Sequence, residues 1–244
     1  MNADIYKKKE VRDNFNELTL KFKGNYRIVF RAYNEGIAYR FESDIKGDII
    51  VENELSEFNF LHDAKAYIPY VRDNVATLES QFGNPFENIY KYENISQWDT
   101  SRIAFLPLLV EGRNGKKLCI LEADLLNYPG MYLYNGDGSN TLKSVFAPYP
   151  KEVEQGGYLN LQGLVKSREP YIAKVSGVTS FPWRIMVVSE NDKELADNDM
   201  VFKLATRPQG DFSWVKPGKA AWEWWHAWNL LGVDFKTGIN NETY

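Results

Sequence analysis

The sequence predicts a mainly β protein built as an antiparallel β-sandwich. Apolar and polar residues alternate with period two through most of the ordered-looking stretches, helical periodicity is scarce, and short apolar runs are separated by turns rich in Gly, Asn, Asp and Pro. Together these patterns favour strands that bury one face each over an α/β sheet.

The elements follow in chain order. A first strand is predicted over residues 15–22 and a second over 26–33, where Ile28, Phe30 and Ala32 share one face and Arg27 and Arg31 the other. Asn34, Glu35 and Gly36 turn the chain, and residues 37–42 repeat the alternation with Ile37, Tyr39 and Phe41 inward, so an antiparallel hairpin is expected. Residues 49–53 read as another strand. An apolar run at 102–110, an Asn-Gly turn at Asn114 and Gly115, and a returning strand at 118–125 make a second hairpin. Strands over 131–134, 170–175 and 183–189 complete the set, with Trp183 expected in the core. No internal repeat, low-complexity tract or long linker interrupts them.

Composition excludes several function classes. A chain of 244 residues with 44% hydrophobic and 25% charged residues can bury a substantial core. A net charge of −4 and a pI near 5.4 leave no basic stripe for phosphates, so nucleic acid is not an expected partner. No run reaches the ~18 consecutive apolar residues of a membrane span. The lone Cys119, within an apolar strand, reads as a buried small residue rather than a nucleophile. His62 and His226 are too few and too far apart for a tetrahedral zinc site.

Familiar chemical motifs mostly fail. Residues 112–116 lack the glycine spacing and the Ser/Thr of a phosphate loop, and neither a G-x-S-x-G elbow nor an H-E-x-x-H helix is present. Residues 135–140, Asn-Gly-Asp-Gly-Ser-Asn, lack the closing Glu and flanking helices of an EF-hand and read as a turn. Glu122 stands apart. It shares a strand face with Leu118 and Ile120, with Asp124 next on that face, and carboxylates are rarely buried without a cation or donors. Periodicity alone leaves it either solvated at a strand end or paired with an Arg.

The C-terminal thirty-two residues carry the densest signal: five of the seven tryptophans fall within fifteen positions, from Trp214 to Trp228. Such aromatic density fits core or interface packing, and it also fits a carbohydrate site, where an indole offers a flat apolar face and an N–H donor.

These residues carry a family resemblance. Trp214, Val215, Lys216, Pro217, Gly218 and Lys219, then the cluster Trp222, Trp224 and Trp225, then residues 232–236 and 238–244 resemble the start of the catalytic barrel of glycoside hydrolase family 97. Residues 30–40, the stretch 121–125 followed by 128–131, and Pro182, Trp183 and Arg184 resemble pieces of that family's N-terminal β-sandwich, in the same order.

The resemblance implies a galactose-mutarotase-like super-sandwich over residues 1–211, lacking its first strands, followed at 212–244 by the first strand of an incomplete (β/α)8 barrel. It implies a calcium-dependent α-glycosidase acting on α-glucosidic or α-galactosidic bonds. Glu122 would be the sandwich's ligand to a calcium ion, and Trp224 or Trp225, with Trp224 slightly favoured, would stack on an oligosaccharide or glycoside substrate. The catalytic acids would lie in the remainder of the barrel, outside this chain, so the chain alone is expected to be inactive. Residues 1–7 lack an apolar stretch of signal-peptide length, whereas the resemblance suggests a periplasmic or secreted parent. A different-class alternative is a free-standing carbohydrate-binding or scaffold β-sandwich whose tryptophan-rich tail forms its own interface.

Overall fold

A computed structural model describes residues 8, 10–72, 77–83, 86–216, 218–219, 232–238 and 240–242. In chain order the elements are β1 Asn16–Phe22, β2 Tyr26–Tyr33, β3 Gly36–Val51, β4 Glu57–Asn59, β5 Lys65–Ile68, α1 Leu78–Phe82, β6 Lys91–Asn94, β7 Leu108–Glu111, β8 Lys117–Ala123, β9 Met131–Tyr134, β10 Thr141–Phe146, β11 Pro150–Gly156, β12 Gln162–Arg168, β13 Ala173–Ser180, β14 Trp183–Ser189, α2 Asp192–Ala196 and α3 Met200–Leu204. Their contacts divide the described chain into two units, Glu10–Thr206 and, with Lys8, the residues from Arg207 onward.

The first unit is mainly β and antiparallel, as the alternation requires. Nine strands form one sheet in the order β1-β2-β3-β14-β8-β7-β5-β6, with β13 pairing β3 beside that path. A second sheet, β4-β10-β9, lies against it. Between them sits a core of Ala66, Ile68, Leu108, Val110 and Ile120 from the large sheet against Phe58, Met131, Leu133, Leu142 and Phe146 from the small one. Burying the large side chains of such a cluster yields about 1.5–3 kcal/mol each, so this layer is the main source of the sandwich's stability.

The opposite face of the large sheet has its own core. Val29, Tyr33, Ala38, Ala123, Trp183, Ile185 and Val187 pack there under Met200 and Leu204 of α3. Trp183 is fully buried, with the guanidinium carbons of Arg31 and Arg40 at 4.9 Å and 4.4 Å from its ring.

That second core reverses the faces expected for the first hairpin. The pairing is as predicted, Tyr33 opposite Gly36 and Phe30 opposite Tyr39. The buried positions, however, are Val29, Tyr33 and Ala38, while Phe30 is 36% and Ile37 48% exposed. Among the described residues, none of β1 or β2 enters the core shared with the small sheet. Two arginines stack on Trp183 with their stems against the apolar layer, which makes a buried strand face read as polar.

Two glycines are required by geometry. Gly36, at φ +154°, begins β3 where a Cβ would stand 2.4 Å from the Met186 carbonyl oxygen. Gly177 sits at the register shift between β13 and β3, where a Cβ would meet the Ile45 carbonyl oxygen at 2.1 Å. The strands β11 and β12 form a separate two-stranded ribbon whose residues are largely exposed. In the second unit, the Ser213 N–H donates to Asp211 Oδ1 at 2.9 Å and Val215 N–H to the Phe212 carbonyl at 2.9 Å, making a turn with Trp214 largely exposed.

Candidate functional site

Glu122 lies on the central strand β8, opposite Arg184 of β14, which in turn lies opposite Tyr39 of β3. Alternation puts all three on the face that meets the small sheet, with Ile120 and Met186 on the same side. A carboxylate and a guanidinium therefore sit at the margin of an apolar layer, and each answers the other's desolvation.

Arg184 is the hub of the cluster. Its Nη1 donates to Glu122 Oε2 at 2.6 Å, while Nε and Nη2 make a bidentate pair with Glu54 Oε1 and Oε2, both at 2.7 Å. The side chains are 1%, 9% and 11% exposed for Arg184, Glu54 and Glu122. The Tyr128 hydroxyl donates to Glu54 Oε2 at 3.0 Å, the Ser56 hydroxyl to Glu54 Oε1 at 3.1 Å, and the Tyr39 hydroxyl to Ser56 Oγ at 2.9 Å. The Met131 N–H reaches both Glu122 oxygens at 3.1 Å.

Two carboxylates against one guanidinium leave the cluster with one excess negative charge. Glu54 takes two of the three charged hydrogen bonds. Burial accordingly raises the Glu122 carboxyl above its ordinary range, and the opposing pull of Arg184 and the Met131 N–H does not cancel it. Burial works against the Arg184 charge as well, but the hydrogen bonds and charges of Glu54, with the charge of Glu122, more than reverse this and hold the guanidinium above its usual value. Burial also raises the Tyr128 hydroxyl, which stays protonated and donates.

Asp124 does not continue the Glu122 face. The strand ends at Ala123, Asp124 turns into the left-handed region at φ 64°, and its two oxygens accept from the Thr206 N–H and hydroxyl, each at 2.7 Å. Glu122 and Asp124 nevertheless line one cleft of about 1090 Å³ together with Tyr132, Tyr149 and Arg168.

For a calcium ion, Glu122 offers the right donor chemistry and too little of it. One of its oxygens is engaged by Arg184, and among the described residues no group of three or more His, Cys, Asp or Glu is placed to hold a metal. A calcium shell takes ~6–8 oxygens. Among the described residues, Glu122 therefore falls well short of such a shell on its own. Nor do Glu54 and Glu122 make an acid–nucleophile pair, since both carboxylates are held by the same arginine.

Other predicted positions fall as follows. Trp224 and Trp225 lie outside the described residues, as does the expected first barrel strand. Cys119 is a thiol pushed up to about 11 by burial, facing the Trp183 core, which fits a packing residue. The loop at residues 135–140 is a turn closed by its own side chains: Asn135 Oδ1 accepts from the Gly138 N–H at 3.0 Å and Asn135 Nδ2 donates to the Ser139 carbonyl at 2.7 Å. Sequence reasoning missed Arg184 as a site residue and Glu54 altogether. The signal for Arg184 was its phase, since it shares a strand face with Met186 and so matches Glu122 as an isolated charge on an inner face. Glu54, in the loop between β3 and β4, gave none.

The comparisons with known proteins agree with this architecture. Residues 1–207 match the family described as Glycosyl-hydrolase 97 N-terminal. Over 244 residues the chain is 49% identical to a retaining alpha-galactosidase of Bacteroides thetaiotaomicron, the match covering 99% of this chain and 37% of that protein. Among solved structures, a glycoside hydrolase family 97 enzyme from Pseudoalteromonas sp. strain K8 in complex with acarbose superposes with a TM-score of 0.69 at 22% identity, over 93% of this chain and 31% of that one. A variant from the same strain in complex with panose gives the same values, a TM-score of 0.69 at 22% identity over 93% and 31% of the two chains. A beta-arabinopyranosidase follows with a TM-score of 0.52 at 18% identity, over 72% of this chain and 28% of that one. At these identities the structures speak to the fold. The family model, spanning most of the chain, speaks to descent, and the chain belongs to glycoside hydrolase family 97, carrying its N-terminal domain.

Proposed function

We propose that this chain is the N-terminal part of a family 97 α-glycosidase that hydrolyses α-galactosidic bonds with retention of configuration. The observation that carries the reading is the 49% identity to a retaining alpha-galactosidase across 99% of this chain. The chain spans 37% of that protein's length, and hydrolysis needs two carboxylates about 5–5.5 Å apart for the retaining route, which the remainder of the parent would supply.

In this reading the sandwich occupies residues 1–211, and residues 212–244 open the catalytic barrel, where Trp224 or Trp225 stacks on the sugar. Glu122 presents one carboxylate oxygen to a calcium ion whose other ligands come from elsewhere in the parent. When bound, calcium would supply a fixed positive charge, with Glu122 as this chain's ligand to it. Arg184 holds the Glu122 carboxylate in one orientation, Glu54 and Tyr128 hold Arg184, and the Met131 N–H fixes the other side of the same carboxylate.

The test is hydrolysis of aryl α-galactosides and α-glucosides by the full-length parent and by this chain alone. The parent is expected to prefer the galactoside, with the anomeric configuration of the first-formed sugar retained, and the chain alone to give no turnover above the buffer blank. Preference for the glucoside, or an inverted product, overturns the substrate assignment. Turnover that co-purifies with the isolated chain and responds to its mutation overturns the division of labour.

A further inference from the structure

Two buried carboxylates share Arg184, and they use their lone pairs unequally. An ionised carboxylate accepts about four hydrogen bonds. Glu54 fills that capacity: its Oε1 accepts from Arg184 Nε at 2.7 Å and the Ser56 hydroxyl at 3.1 Å, its Oε2 from Arg184 Nη2 at 2.7 Å and the Tyr128 hydroxyl at 3.0 Å. Glu122 is left with less. Its Oε2 accepts from Arg184 Nη1 at 2.6 Å and shares the Met131 N–H, while among the described residues Oε1 has only its part of that same donor, at 3.1 Å.

Glu122 lines the cleft of about 1090 Å³, whereas Glu54 and Arg184 do not. Gly130 lines it beside Glu122, and a Cβ on Gly130 would stand 3.3 Å from Glu122 Oε1, tighter than ordinary van der Waals contact. The backbone does not demand a glycine here, because the φ of Gly130 lies outside the left-handed region. Its missing side chain therefore keeps the space beside Oε1 clear. Behind Glu122, the guanidinium is constrained in a second way. An arginine fork is best satisfied by one carboxylate in two parallel N–H···O bonds, and Glu54 occupies the Nε and Nη2 edge in that manner. Glu122 receives one charged bond instead of two. Without the Glu54 charge, Glu122 is the remaining ion-pair partner of Arg184 among the described residues and can draw the fork onto both of its oxygens.

We infer that Glu54 and Gly130 are positioning residues that keep Glu122 Oε1 available as a cation ligand, Glu54 by holding the fork of Arg184 away from it and Gly130 by leaving the space beside it empty. This rests on the reading of Glu122 as a calcium ligand proposed above. Neither residue is itself a ligand: Glu54 has its lone pairs committed, and Gly130 acts through the side chain it lacks. Partners that orient a ligating carboxylate commonly change metal affinity by about 10–100-fold when substituted.

The experiment is calorimetric calcium titration of the full-length parent as wild type, Glu122→Gln, Glu54→Gln and Gly130→Ala, with thermal melts confirming that each folds and a crystal structure of Glu54→Gln. Glu54→Gln and Gly130→Ala are each expected to raise the calcium Kd by about 10–100-fold, and Glu122→Gln at least as much. Gly130→Ala changes no charge, so its loss of affinity reports crowding at Oε1 and not an altered field. In the Glu54→Gln crystal, Arg184 is expected to reach both Glu122 oxygens. Wild-type affinity in Glu54→Gln or in Gly130→Ala, alongside a weakened Glu122→Gln, overturns the inference and leaves the calcium reading standing. Unchanged affinity in Glu122→Gln overturns both. A weakened Glu54→Gln whose Arg184 stays on one Glu122 oxygen reduces the effect of Glu54 to its charge and overturns its positioning role. Should Glu54→Gln fail to fold, Gly130→Ala alone decides.

Discussion

Glu122 holds two roles that substitution can separate. In the sandwich it is the weaker partner of Arg184, which remains bidentate to Glu54 without it; in the proposed parent it is also an anionic ligand. Glu122→Gln keeps the acceptor for the Met131 N–H and for Arg184 while removing one charge. In the full-length parent it is expected to weaken calcium binding, measured by calorimetric titration, and to lower hydrolysis with partial recovery at high calcium. Asp124→Asn should leave calcium affinity nearly unchanged, since Asp124 is committed to Thr206. Equal calcium affinity for wild type and Glu122→Gln would confine Glu122 to its pairing with Arg184. The isolated chain offers a second readout. The carboxyl is raised above its ordinary 4.5, so its contribution to stability is full below that value and is lost as pH rises through the higher native value. Unfolding free energies compared across that range should therefore shift in favour of Glu122→Gln as pH rises.

Among the elements, the strands that sequence located best are those with one apolar face against a packed layer. The predicted strands at 131–134 and 183–189 coincide with β9 and β14, since their alternation reports burial directly. The ribbon of β11 and β12 escaped notice because its residues are exposed and charged on both faces, leaving no alternation to detect. The hairpin of β2 and β3 was legible in pairing and illegible in phase. A period-two pattern says which residues share a face and not which face is covered, and arginines stacked on Trp183 made the covered face look solvated. The hairpin turn itself makes a sharp demand. Gly36→Ala would drive a methyl into the Met186 carbonyl at a backbone angle that side chains rarely adopt. It is expected to cost more than about 1 kcal/mol in urea unfolding. A stability unchanged within error would show that the turn relaxes and that the close approach is not a constraint.

On the scale of the whole molecule, Leu204 is the last of the described residues to enter either hydrophobic core. Deleting residues 213–244 is therefore expected to leave a cooperative melt with little change in midpoint and to improve solubility, because it removes the exposed Trp214 and Val215. Loss of cooperative melting would place the tail in the sandwich core. The family was legible from blocks of local sequence, whereas the ion cluster was not. Glu54, Glu122 and Arg184 are separated by as many as 130 positions and are brought together by strand order, which no local pattern encodes. The clasp of Asp124 on Thr206 has a consequence for everything downstream. It pins the chain to the end of β8 at the last residue of the first unit, so whatever follows departs from a fixed point instead of swinging on a frayed helix end. A tether with an anchored origin and fewer free residues searches a smaller volume, and the effective concentration of the segment it carries rises accordingly.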